Sequence, residues 1–216
     1  MTEDSRLREQ LCARAKSLFD RGLTHGSTGN ISARLPDGGL LVSPTGSSFG
    51  TLDPARLSHF DATGRLIGGD KPTKEMPLHS AFYETRSQAG AVVHLHSCYA
   101  VAWSMMPGVN EDDLLPPLVP YALMQLGRVK LLPYFRPGDA AMGHAIRGLA
   151  GKRSAVMLAN HGPVVAGKDL EAACNAIEEL EATSRLALLT HGHAPRLLSP
   201  AQIRDLVTSF NIEWDA

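Results

Sequence analysis

The segment Ala91-Val92-Val93-His94-Leu95-His96 constrains this chain more than any other. It is short, apolar and β-branched, which predicts a buried strand over 91–97. Alternate residues of a strand share a face, and positions two apart lie about 7 Å from each other along the backbone. His94 and His96 are therefore expected side by side. Two polar rings on a Val-rich buried face are costly without partners. They are either satisfied core residues or ligands of one cation, for which neutral imidazole is a good donor. The second reading is preferred here, because further ligand types stand at suitable places along the chain.

His161 is the natural third ligand. It ends a second apolar strand, 155–159, and is followed by Gly162-Pro163, which leaves room for a small molecule. Glu75 completes the set, just before a helix expected over 76–86. Alone, such a Glu would serve the N-terminal end of the helix dipole. Three His and one displaceable carboxylate make a zinc site that can open, which is the form of a catalytic centre. Zinc is preferred on ligand type, with manganese and cobalt as alternatives. His191-Gly192-His193 is a second H-x-H, but the Gly and the preceding long helix make it a solvated helix end. His59, His79 and His144 have no ligand context and read as surface or packing residues, and His25 lies in a Gly-rich turn.

The rest of the chain predicts alternating layers. Helices are expected over 5–21, 76–86, 99–106, 139–150, 169–190 and 199–210, the last with Ser199 as N-cap and Pro200 at its first position. Strands are expected at 31–35, 40–43, around Phe60 and Leu66-Ile67, and at 91–97, 129–134, 155–159 and Val164-Val165, several joined by hairpin turns. The stretch 107–120 is rich in Pro and acids and reads as irregular. This order suggests a single domain over 1–216, a three-layer α/β/α fold with a mixed, largely antiparallel central sheet. Neither a phosphate loop of the G-x-x-x-x-G-K-[ST] type nor a G-x-G-x-x-G fingerprint occurs.

Composition narrows the function classes. The 216 residues include 21 basic and 22 acidic side chains, a net charge of −1, which disfavours nucleic acid and anionic membrane as partners. Cys12, Cys98 and Cys174 are odd in number and far apart, so a disulfide framework is not expected and a reducing, cytoplasmic setting fits. No apolar run approaches the roughly 20 residues of a membrane helix. A local anion site is still possible. Three polar turns precede the ligands: Ser27-Thr28-Gly29-Asn30, Ser43-Pro44-Thr45-Gly46-Ser47-Ser48 and Pro72-Thr73-Lys74-Glu75. Gly lets backbone N–H groups approach an anion, and hydroxyls and Lys add donors.

These motifs, in this order, resemble the class II aldolase/adducin family along nearly the whole chain. The matching residues are Thr28-Gly29-Asn30-Ile31-Ser32, Ser43-Pro44-Thr45-Gly46, Lys71-Pro72-Thr73-Lys74-Glu75, Val92-Val93-His94-Leu95-His96 and Asn160-His161-Gly162. The resemblance implies one zinc per subunit held by His94, His96 and His161, with Glu75 as a further ligand and the catalytic acid/base. It implies that Gly29, Asn30, Thr45, Gly46 and Thr73 hold a substrate phosphate. It implies a homotetramer with sites at the interfaces, where Tyr121 stands at about the place of a tyrosine given to the neighbouring subunit. Glu75 and Tyr99 differ from the Asp and His of the family's 4-epimerases. Thr73 and Lys74 differ from the paired Ser of fuculose-phosphate-type aldolases. The run 69–75 is most similar to the branch that decarboxylates 3-oxo-tetronate 4-phosphates. Lys74 suits a substrate with a carboxylate as well as a phosphate. The implied reaction releases CO₂ from a four-carbon sugar-acid phosphate through an enediolate and yields dihydroxyacetone phosphate. A fuculose-type aldolase and a noncatalytic adducin-like interaction module are the alternatives.

Overall fold

The structure is a computed structural model that describes residues 2–214. Eight strands of the described residues form one sheet: β1 (Asn30–Arg34), β2 (Leu40–Val42), β3 (Ser58–Phe60), β4 (Leu66–Gly68), β5 (Ala91–His94), β6 (Lys130–Leu132), β7 (Ala155–Leu158) and β8 (Gly162–Gly167). Their order is β4-β3-β2-β1-β5-β8-β7-β6, and only the β6–β7 pair is parallel. The expected mixed, largely antiparallel sheet is present. Seven α-helices of the described residues flank it: α1 (Glu3–Asp20), α2 (Met76–Thr85), α3 (Cys98–Ser104), α4 (Pro120–Leu126), α5 (Ala140–Gly148), α6 (Leu170–Thr190) and α7 (Pro200–Phe210).

Strand alternation sorts the core into two halves. Ile31, Ala33, Leu41, Val93, Met157 and Val165 face one side and pack with Leu11 and Leu18 of α1 and Ala173, Ile177 and Leu180 of α6. Val92, Val156, Leu158 and Val164 face the other side and pack with Leu78 and Phe82 of α2 and Met142 and Ile146 of α5. These are the three expected layers. The even-numbered residues of β5 face α2, so His94 emerges on the α2 side.

Four differences from the sequence reading have local causes. The β5 ladder ends at His94 and not at Ser97, because its neighbour β1 starts opposite it at Asn30. One further bond, from the Leu95 N–H to the Pro163 carbonyl, holds the chain beyond. Helix α4 lies where irregular chain and unassigned residues were expected. Proline sits in its first turn, and Ala122, Leu123 and Leu126 supply a buried stripe. Helix α1 starts at Glu3 because Thr2, not a later residue, accepts the Ser5 N–H. The edge strand β4 and its neighbour β3 are only three residues each.

The close approach of β8 to β5 depends on Gly162. A Cβ there would stand 2.0 Å from the Leu95 carbonyl oxygen and 3.3 Å from the His94 ring. Gly162→Ala is therefore expected to push the two strands apart. We expect a loss of about 1–3 kcal/mol in urea unfolding of the metal-free protein, together with weakened metal uptake. An Ala variant of unchanged stability and uptake would contradict this packing.

Candidate metal centre

His94, His96, His161 and Glu75 come together at one end of the sheet. Each offers a ligand atom, and those atoms all lie within 4.8 Å of one another. The three ring centroids are 4.7–4.9 Å apart. His94 is placed by β5, and its Nδ1–H donates to the Pro163 carbonyl at 2.8 Å. That bond fixes the tautomer and leaves the Nε2 lone pair facing the cluster. His96 follows two residues on, outside the ladder, and still joins the group.

His161 is carried by the tight β7–β8 turn, where Leu158 pairs with Gly162. Asn160 takes a left-handed conformation (φ 57°) to make that turn, and its N–H donates to Ser104 Oγ. Glu75 sits at the N-cap of α2, yet its side chain makes no capping bond. Its N–H donates to Thr73 Oγ1 at 3.2 Å, and its carboxylate meets Asn30, His94 and His161 instead of its own helix N–H groups.

The group has the donors of a ligand set and is not a fully satisfied polar core. Glu75 Oε1, His94 Nε2 and both ring nitrogens of His161 are buried without a hydrogen-bond partner. Glu75 Oε2 lies 3.3 Å from His94 Nε2, and Oε1 lies 3.2 Å from His161 Nε2. Ligands about 2.0–2.2 Å from a tetrahedral ion are separated by about 3.3–3.6 Å, so these spacings fit a common cation. Protonation states fit as well. Burial, then the neighbouring rings of His94 and His161, push the His96 pKa down to about 3, which keeps its lone pair free at neutral pH. Burial disfavours the Glu75 carboxylate, but the rings of His161 and His94 and the Asn30 amide outweigh it and hold its pKa well below the usual carboxylate range.

The three polar turns adjoin this cluster. Gly29, in a left-handed conformation, backs onto the His94 carbonyl so closely that a Cβ would be 2.9 Å from it. A bridge between Pro44 and Pro72 brings the turn carrying Thr45 and Gly46 beside Thr73. The Thr45 N–H is already given to the Lys71 carbonyl, so its hydroxyl is what it can offer a ligand. Lys74 is exposed beside the buried Glu75, and Gly138 of the β6–α5 loop packs on its stem. Tyr121 is 60% exposed in the first turn of α4 and is not among the groups gathered around Glu75. His191 and His193 are exposed at the end of α6, as expected of a solvated helix terminus.

His79 does not fit the bland role expected of it. It is fully buried, and its Nε2 lies 2.6 Å from Asn30 Oδ1. Asn30 in turn gives its Nδ2–H to Glu75 Oε2 at 2.7 Å. The sequence carried a usable signal. Glu75, His79 and Tyr83 recur every four residues on α2, and Asn30 and Ser32 are two apart on β1. Two polar stripes on facing, otherwise apolar elements mark a buried network.

Comparison with known proteins agrees with this geometry. The family described as Class II Aldolase and Adducin N-terminal domain matches residues 9–188. A 3-oxo-tetronate 4-phosphate decarboxylase of Escherichia coli (strain K12) is 44% identical over 200 residues, covering 93% of this chain and 94% of the other. An L-fuculose phosphate aldolase of Methanococcus maripaludis is 34% identical over 170 residues, or 78% of this chain and 89% of that one. The crystal structure of YgbL from Escherichia coli superposes with a TM-score of 0.92 at 42% identity, covering 95% of this chain and 99% of YgbL. This chain belongs to the class II aldolase and adducin family.

Proposed function

We propose that the protein is a zinc-dependent decarboxylase of a 3-oxo-tetronate 4-phosphate, giving CO₂ and dihydroxyacetone phosphate. The observation that carries the reading is the gathering of three imidazoles and one carboxylate beside three polar turns, with Glu75 Oε1, His94 Nε2 and both His161 ring nitrogens buried and unpartnered. The 44% identity to a curated decarboxylase supports this substrate over an aldol, since the L-fuculose phosphate aldolase stands at 34%. His94, His96 and His161 are the residues that hold the ion, with Glu75 as a ligand that can leave. Nitrogen donors favour zinc, and manganese or cobalt suit the set less well.

The chain's own groups divide the remaining work. Gly29, Asn30, Thr45, Gly46 and Thr73 bind the phosphate end, and Lys74 attracts the substrate carboxylate. A bound divalent ion supplies Lewis-acid stabilisation of the negative charge that develops on the C3 oxygen. The C1–C2 bond breaks, its electron pair moves into C2–C3 to give an enediolate, and CO₂ departs. Glu75, after taking up a proton from solvent, delivers it to C2. Tyr121 belongs in this proposal as a residue for a neighbouring subunit's site in a homotetramer. Its exposure, with that of Tyr99, Leu186 and Leu189, supports such an assembly. Among the described residues no helix is long and apolar enough to cross a membrane. A cytoplasmic setting is supported by three free cysteines.

Metal binding is tested by melting. Protein stripped with a chelator is expected to regain several degrees of Tm on adding zinc, because a ligand that binds only the folded state stabilises it. His94→Ala and His161→Ala are expected not to respond. A wild-type melt indifferent to zinc would remove the ion from the account.

Turnover is tested with a panel of phosphorylated four-carbon keto acids and aldol sugars, measuring CO₂ and dihydroxyacetone phosphate separately. We expect equal amounts of both from the keto acid. Aldehyde release from the sugars with no CO₂ would assign an aldolase. Glu75→Gln is expected to lose about 10²–10⁴-fold in kcat while keeping the histidine ligands. Lys74→Ser is expected to raise KM for the acid substrate, and unchanged handling would take Lys74 out of substrate recognition.

A further inference from the structure

Behind Glu75 runs a buried chain of hydrogen bonds that no step above uses. Glu75 Oε2 is 2.7 Å from Asn30 Nδ2. Asn30 Oδ1 is 2.6 Å from His79 Nε2. His79 Nδ1 is 2.7 Å from Ser32 Oγ, and Ser32 Oγ is 2.9 Å from the Tyr83 hydroxyl. Every member is buried.

One proton arrangement satisfies all four contacts. An ionised carboxylate only accepts, so Asn30 must turn its NH₂ to Glu75 and its carbonyl to His79. His79 must then donate from Nε2. Burial lowers its pKa to about 3, so the ring is neutral and has one N–H to give. Its Nδ1 is left as an acceptor, and Ser32 must donate to it. Tyr83 must donate to Ser32. Burial raises the Tyr83 pKa, so its phenol keeps its proton. Arg34 lies 4.7 Å over the Tyr83 ring, and its Nη2 donates to the Tyr83 carbonyl, which anchors the far end.

We propose that His79, Ser32 and Tyr83 are positioning residues, forming a one-directional relay that locks the Asn30 amide with its NH₂ toward Glu75. The consequence reaches the metal centre. Oε2 is taken by Asn30, and Oε1, which has no hydrogen-bond partner, is the oxygen presented toward His161. Without the His79 donor the Asn30 carbonyl is left unpaired in a buried site, and only the carboxylate itself holds the amide against rotation. Glu75 would then lose its firm orientation both as ligand and as proton carrier. The proposal rests on the role given to Glu75 above.

The experiment compares His79→Leu with His79→Gln, since Gln can place an N–H near the position of Nε2. Zinc affinity, by competition with a chromogenic chelator, is read beside kcat and KM. For His79→Leu we expect zinc affinity and kcat each to fall about 10–100-fold with KM nearly unchanged, and for His79→Gln we expect most of both to return. Equal impairment of the two variants, or a His79→Leu protein with wild-type zinc affinity, would overturn the relay. Should His79→Leu fail to fold, Ser32→Ala and Tyr83→Phe take its place. Losses that shrink with distance from Glu75 support the relay, and losses that only follow Tm refute it. In the metal-free wild type, ¹⁵N spectra of labelled histidine should show His79 protonated at Nε2, and the opposite tautomer would refute the assignment. If Glu75→Gln retains full turnover while zinc affinity still depends on His79, the catalytic role of Glu75 fails and the relay stands.

Discussion

Lone pairs that face one another in a buried space are the constraint on which this structure turns. His94 Nε2, His161 Nε2 and Glu75 Oε1 lie together with no donor between them. In an interior of low dielectric such groups are far more costly unpaired than in water. A cation resolves that conflict for all of them at once. It also explains why a strand as apolar as Ala91-Val92-Val93 ends in imidazoles.

The sheet holds these groups in place by register more than by side-chain packing around them. Asn30 pairs with His94 on one side, and Val164 pairs with His94 on the other. Those two pairings bring the Gly29 turn and the His161 turn to the same end of the sheet. Helix α2 closes the site from above the sheet, with Glu75 at its start. Its polar stripe of Glu75, His79 and Tyr83 meets the polar stripe of Asn30 and Ser32 on β1. Glu75, Asn30 and the His79–Ser32–Tyr83 chain therefore share two elements, so a shift of α2 against β1 would disturb all of them together.

Much of this was legible in the residues. The helical spacing of Leu170, Ala173, Cys174, Ile177 and Leu180 predicts the buried face of α6, and each of these is buried. The turn residues Asp37-Gly38-Gly39 and Thr63-Gly64 mark two hairpins that form. The metal cluster was legible because polar rings in a β-branched run are anomalous. Helix α4 was not, because prolines before it read as irregular chain and seven residues carry little periodicity. The end of β5 was hidden as well, since a ladder stops where its neighbours stop and not where apolar residues do. Asn30 could be read as a phosphate residue, but its tie to Glu75 depends on how α2 docks on β1, a tertiary fact. His79 was obscured for the same reason: on one helix it is an ordinary residue, and it acquires meaning only opposite Asn30 and Ser32.

X-ray absorption at the zinc edge of the protein as purified tests the central claim most directly. The account predicts three imidazole nitrogens about 2.0–2.1 Å from the ion, with the remaining positions filled by oxygen. A sulfur ligand, fewer than three imidazoles, or a spectrum unchanged when His96 is replaced by Ala would contradict it.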